Sequence, residues 1–231
     1  MLVPWQDYTT SKSVPQNLSA LIFRNEIITK LAIRMKANMN TDKGRVCPVE
    51  RAGSLDNIFR RWLQNPLKIL APYIQRGMTV LDIGCGPGFF TIPMAQLVGS
   101  AGRVIAVDLQ DGMLEKVRCK IRETEIEKRI ALHKCENNSI CVAERVDFVL
   151  LFYMVHEIPN QTDFFSQIAQ ILQPTGQVLI VEPPFHVSKA TFGRTLEQAK
   201  AAGFTPSQGP SVFLSKTAIL EKGQQSLGGD A

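Results

Sequence analysis

The stretch Met78-Thr79-Val80-Leu81-Asp82-Ile83-Gly84-Cys85-Gly86-Pro87-Gly88-Phe89-Phe90 (MTVLDIGCGPGFF) decides how the rest of this 231-residue chain is read. Met78 to Ile83 is an almost unbroken apolar run, as expected of a strand buried on both faces. The glycines that follow permit positive φ and close approach of a ligand to the backbone. Phe90 to Val98 then reads as a helix, with Pro93 tolerated in its first turn. Its start offers N–H groups that no helical carbonyl takes up. A dinucleotide site asks for G-x-G-x-x-G. Position 89, where the third glycine would fall, is Phe, and the third glycine is Gly88. The acidic Asp82, two places before the first glycine, would do little for a pyrophosphate and much for a cationic amino-acid tail.

Downstream of this loop, strands and helices alternate. RVIAVD (103–108), RIALHKC (129–135), RVDFVLLFYMV (145–155) and QVLIVEP (177–183) read as strands. The segments 111–122, 163–172 and 188–202 read as helices, with Asp111 placed to cap the first. Pro174 and Gly176 stop the second. Two further strands are expected near Thr205–Ser207 and over Val212–Glu221, and the tail 223–231 should fray. Upstream, Leu55, Ile58, Phe59, Trp62, Leu63, Leu67, Ile69 and Leu70 follow helical spacing, interrupted by Pro66 and Pro72. Strands separated by helices of this length imply βαβ units and a mostly parallel sheet covered on both faces. The ligand site of such a sheet lies at the carboxyl ends of its strands.

VLDIGCGPGFF (80–90) resembles the first motif of the class I S-adenosylmethionine-dependent methyltransferases, and the resemblance extends over roughly residues 76–221. It implies a Rossmann-like α/β fold with a seven-stranded, mostly parallel sheet and helices on both faces. It also implies S-adenosyl-L-methionine as cofactor. By this likeness Asp82, Gly84, Cys85, Gly86 and Gly88 surround the methionine end, with Cys85 a small packing residue rather than a nucleophile. Asp108, twenty-six residues after Asp82, falls where the family accepts hydrogen bonds from both ribose hydroxyls. Leu109 lies in VDLQDGML (107–114), which follows the family's usual continuation. Glu136 falls where a residue commonly sits beside the adenine, a place Cys135 or Asn137 can share. Tyr153, near the end of the fourth strand, is a further candidate for cofactor contact. The implied division is a basic amphipathic extension (1–38), a helical lid (39–75), the cofactor-binding domain (76–222) and the tail.

The end of the fourth strand, FYMVHEIPN (152–160), should face the transferred methyl group. Methyl transfer is an in-line displacement, to which positioning can contribute about 7–11 kcal/mol. A base is needed only if the acceptor loses a proton. His156 is the candidate, since an ordinary histidine pKa suits that task. Glu157 is placed to orient it or to contact the acceptor, and Glu182 and His186 flank the same edge. EPPF (182–185) follows the fifth strand, not the fourth, so it does not match the motif of the adenine-amine enzymes. No Cys beside Pro marks a cytosine-carbon enzyme there, and only Glu157 fits the paired glutamates of the protein-arginine enzymes. The closer likeness is to the small-molecule branch, the ubiquinone/menaquinone-type and arsenite methyltransferases. The rivals are aminopropyl transfer on the same scaffold and a cofactor-binding regulatory subunit without chemistry.

Composition agrees with a globular chain: 45% of residues are apolar and 20% charged. Five cysteines make an odd number, too few for a disulfide scaffold, and point to a reducing, cytoplasmic setting. Cys47, Cys135 and Cys141 with His133 lack C-x-x-C spacing, so no metal is expected. No run reaches the roughly 18 apolar residues of a membrane span. The basic amphipathic stretch 18–37 allows at most weak contact with a membrane surface. Of the net charge of +5, +3 lies on residues 1–38. The rest is near neutral and carries no basic-aromatic stripe, which argues for a small-molecule acceptor and against nucleic acid.

Overall fold

The computed structural model describes residues 64–223. The expectations for the amphipathic stretch 18–37, for most of the lid, for Cys47 and for the tail beyond Gly223 lie outside the described residues. The described chain begins with a short helix α1 (Pro66–Leu70), with Pro66 in its first turn and the Asn65 side chain accepting from Lys68 N–H. β1 (Thr79–Ile83), α2 (Thr91–Val98), β2 (Arg103–Asp108), α3 (Asp111–Ile121) and β3 (Ile130–Lys134) follow. Next come β4 (Val146–Phe152), a 3-10 turn at Val155–Glu157, α4 (Gln161–Ile171) and β5 (Leu172–Glu182). α5 (Lys189–Ala201), β6 (Phe204–Gln208) and β7 (Lys216–Lys222) complete it.

The strands form one seven-stranded sheet in the order β3-β2-β1-β4-β5-β7-β6. β3, β2, β1, β4 and β5 run parallel, and β7 pairs antiparallel with both β5 and β6. The strand order reverses at β1, so β2 and β4 leave its carboxyl end in opposite directions and open a crevice there. β1 and β4 are buried along nearly their whole length, which explains their continuous apolar sequences. One face packs Leu81, Val149 and Ile180 against Phe165 and Ile168 of α4 and Ala199 of α5. The other packs Val80, Phe148 and Leu179 against Leu70 of α1 and Met94 of α2. α3 covers Ala106 with Leu114, Val117 and Ile121.

Three local expectations differ from the structure. Asp111 is the first residue of α3 rather than its cap; Gln110 takes the cap position, and the Asp111 carboxylate pairs with Lys134 at 2.5 Å. α4 ends at Ile171, ahead of Pro174 and Gly176, and these two lie in the irregular start of β5. The register there jumps from Val146–Leu172 to Phe148–Gln177. β7 starts only at Lys216, because Val212–Ser215 closes a turn in which Leu214 takes a positive φ.

Candidate functional site

The glycine loop is built by β1 and β2 together. Gly84 and Cys85 N–H both donate to the Val107 carbonyl, at 2.9 and 3.0 Å. Gly84 and Gly88 adopt φ of +71° and +84°, the left-handed region where a side chain is strained. A Cβ on Gly84 would also stand 3.2 Å from Met154 Cβ, and one on Gly88 3.2 Å from Val117. The loop is thus specified twice over, by dihedral and by close packing.

Asp108, at the end of β2, reaches across to this loop. Its Oδ2 accepts from Gly86 N–H and its Oδ1 from Gln110 N–H, each at 2.9 Å. The residue is 7% exposed. Burial pushes its carboxyl up, and the backbone N–H groups of Gln110, Gly86 and Leu109 pull it down; the net direction is up. Asp82 is more deeply enclosed, and its Oδ2 accepts from the Thr91 hydroxyl at 2.6 Å. Burial raises its pKa to about 7, against the opposing hydrogen bond from Thr91. Cys85 packs with Ala106, Leu114 and Val117, and burial pushes its thiol well up, as for a packing residue.

A cleft opens between the ends of β1, β2 and β3 and the start of α4. It measures about 660 Å³ counting its open mouth. Gly84, Asp108, Leu109 and Glu136 line it, together with Cys135 and Asn137. Apolar walls come from Ile83, Met154, Ile158 and Phe164. Four of the sequence-predicted cofactor residues therefore meet in one place. Asp82, Cys85, Gly86 and Gly88 sit in and behind the loop without lining the cleft. Tyr153 faces elsewhere: its hydroxyl accepts from Gln64 Nε2 at 2.6 Å and lies 2.7 Å from Ser215 Oγ. Its ring lies 4.4 Å from that of Phe152, and its φ is +60°.

Sequence reading passed over the α4 side of the cleft. Asn160, Asp163, Phe164 and Gln167 all line it. Gln167 holds the loop after β3 by accepting from Ile140 N–H and donating to the Asn138 carbonyl. The signal available was that α4 starts at the carboxyl end of β4, beside the crevice.

His156 lies on the 3-10 turn after β4, between Met154 and Ile158, both of which line the cleft. Its Nδ1 is 2.5 Å from Oε2 of Glu182, and its backbone N–H donates to Oε1 at 3.3 Å. The carboxylate set against the ring is thus Glu182 on the next strand, while Glu157 is exposed. Burial of the imidazole lowers its pKa, but the hydrogen bond and charge of Glu182, with Glu157, outweigh this and raise it above the usual value. The His186 ring stands edge-on to it, 4.8 Å between centroids. His133 and Cys141 are exposed and Cys135 half-buried. Among the described residues no three His, Cys, Asp or Glu side chains gather as metal ligands, and no helix is long and apolar enough to cross a membrane.

The family model described as a methyltransferase domain matches residues 74–206. A demethylmenaquinone methyltransferase of Listeria welshimeri is 24% identical over 122 residues, 53% of this chain and 51% of that protein. One of Lactobacillus johnsonii is 30% identical over 110 residues, 47% of this chain and 45% of that protein. The chain thus spans about half the length of the curated relatives it matches. Among solved structures, a SAM-dependent methyltransferase from Aquifex aeolicus superposes with a TM-score of 0.67 at 26% identity. That match covers 76% of this chain and 98% of the other.

Proposed function

Because this chain belongs to the methyltransferase domain family, we propose that it transfers a methyl group from S-adenosyl-L-methionine to a small-molecule acceptor. The observation that carries this reading is the junction of Asp108 with the glycine loop at the cleft. An ionised carboxylate offers about four lone-pair sites. Those on Asp108 that the backbone leaves open suit the two hydroxyls of a ribose. Leu109, Ile83 and Phe164 form apolar walls fit for a purine, with Glu136 at its polar edge. The positive-φ glycines keep Cβ atoms out of the loop, as a closely approaching ligand requires. The residues present therefore fit the cofactor. When bound, it supplies a methyl group on a positively charged sulfur.

In this reading Asp82 lends negative charge behind the loop to the amino-acid end, and Gly84, Gly86 and Gly88 admit that end to the backbone. Cys85 packs beneath the loop, and Tyr153 braces it through Phe152 and Phe90, whose rings are 4.2 Å apart. His156, on the turn between the cleft-lining Met154 and Ile158 though not itself part of that lining, is assigned the acceptor's proton at Nε2, with Glu157 at the exposed rim to contact the acceptor. Aminopropyl transfer asks for an Asp at the end of β4, where this chain has His156 and Glu157. The relatives' name supports a quinol as the first acceptor to try. The domain boundaries at about 76 and 222, weak membrane-surface contact by residues 18–37 and a cytoplasmic setting belong to the same proposal.

S-adenosylhomocysteine at 100 times its Kd should stabilise the fold by about 2.7 kcal/mol and raise the melting temperature accordingly. Asp108→Ala should weaken its binding about tenfold or more by titration calorimetry, through loss of charge-assisted hydrogen bonds of about 1.5–3 kcal/mol. No melting shift at saturating ligand would sink the cofactor assignment. A labelled-methyl screen of quinols, thiols, arsenite and small carboxylates then identifies the acceptor; tight cofactor binding without transfer to any of them would favour a regulatory subunit.

A further inference from the structure

Glu182 is 1% exposed, and both hydrogen bonds its carboxylate makes among the described residues go to one partner, His156. Burying a carboxylate costs several kcal/mol unless its partners are well placed. Here they are placed by the sheet: the pairing of Phe152 with Val181 brings the end of β5 beneath the turn that follows β4. One oxygen holds the backbone of His156 and the other its ring, so chain and imidazole are oriented together. We propose that Glu182 is the positioning residue of this site, which selects the His156 tautomer protonated at Nδ1 and leaves Nε2 as a base for the methyl acceptor. The proposal rests on the methyltransferase reading above and deepens it.

The chemistry follows from the donor inventory. An ionised carboxylate only accepts hydrogen bonds, so the nitrogen facing it carries the proton. The second nitrogen is then a lone-pair acceptor. When the acceptor molecule loses its proton, the bond broken is its X–H bond and the bond formed is Nε2–H. The electron pair stays on X, and the imidazolium is neutralised beside Glu182. Such a dyad serves an acceptor that sheds a proton during transfer, a hydroxyl or an amine. A soft anion such as a preformed thiolate has no use for it.

The other groups around the ring are Glu157 in the same turn and His186 in the loop after β5, while Lys216 of β7 lies opposite Glu182 in the sheet. Lys216 Nζ donates to the Pro184 carbonyl at 3.1 Å. Burial and the neighbouring His156 lower the pKa of His186. The two imidazoles are thereby separated: the half-buried one on the dyad is the stronger base, and the exposed one is the weaker.

The test uses the full chain labelled with ¹⁵N-histidine, its three histidines assigned with single His→Gln variants. At a pH above its titration, where the ring is neutral, His156 should show the proton on Nδ1; a neutral ring protonated at Nε2 overturns the proposal without any change at Glu182. In Glu182→Gln the His156 titration should move down by about one pH unit or more. The acidic limb of kcat/KM should move with it. Turnover should fall at least about tenfold, with S-adenosylhomocysteine affinity kept within about twofold and Glu182→Asp recovering part of the rate. An unmoved titration, or a moved titration with an unmoved rate profile, overturns the role. The nitrogen spectra read the dyad even if no acceptor is methylated, so failure of the methyltransferase reading remains distinguishable from failure of this one.

Discussion

Asp82 shows how much one side chain can carry. It is 3% exposed in the middle of the sheet, on a strand otherwise made of Thr, Val, Leu and Ile. Burial raises its pKa from 3.8 to about 7. A folded-state value above the unfolded one means that the folded chain holds the proton more tightly. The associated stability is present below pH 3.8 and is lost as pH rises towards about 7. His156, also raised, acts with the same sign: its contribution is present below the unfolded value and is lost as pH rises through the folded one. Asp82→Asn keeps the shape and a partner for Thr91 but removes the titration. Urea unfolding of the ligand-free chain at pH 4.5 and pH 7.5 should therefore show a smaller loss of stability on raising the pH in Asp82→Asn than in the parent. Equal losses would mean that Asp82 does not titrate in this range.

At the scale of elements, capping separates structural from functional asparagines and serines. Ser188 Oγ accepts from Thr191 N–H at 3.0 Å and starts α5, away from the cleft. Asn160 Oδ1 accepts from Asp163 N–H at 3.2 Å and starts α4, and both residues line the cleft. Each substitution by Ala should cost about 1 kcal/mol of stability. Only Asn160→Ala should also weaken S-adenosylhomocysteine, and melting curves with and without ligand separate the two effects. The α4 core is less forgiving: Phe165 is fully buried against Ala199 and Phe204, and Phe165→Ala should cost about 3–5 kcal/mol by denaturant titration.

For the molecule as a whole, the last of the described strands is an interior strand of the sheet. β7 lies between β5 and β6, and among the described residues β6 pairs with β7 alone. Truncation after Gln208 would strip the partner from β6, expose the edge of β5 and remove Ile219 and Leu220 from the two cores. Such a chain should lose its cooperative thermal transition and aggregate through the bared edge; a parental melting curve would disprove the dependence. The features legible in sequence were those that local chemistry fixes. The glycine loop needs positive φ and close approach, the buried strands need unbroken apolar runs, and Asp108 follows its own strand. Glu182 was legible as a residue flanking the same edge, but its pairing with the His156 ring was not, because it lies 26 positions away and meets it only through the pairing of β4 with β5. Glu157, adjacent in sequence, was the natural expectation, and the turn after β4 leaves it exposed. The α4 wall of the cleft, the ties that hold Tyr153 and the place of β7 are of the same kind. Sequence by itself determined what each segment becomes, since propensity and burial pattern act over a few residues. Which residues meet across the sheet was decided by strand order and register, which arise only when the whole apolar core closes.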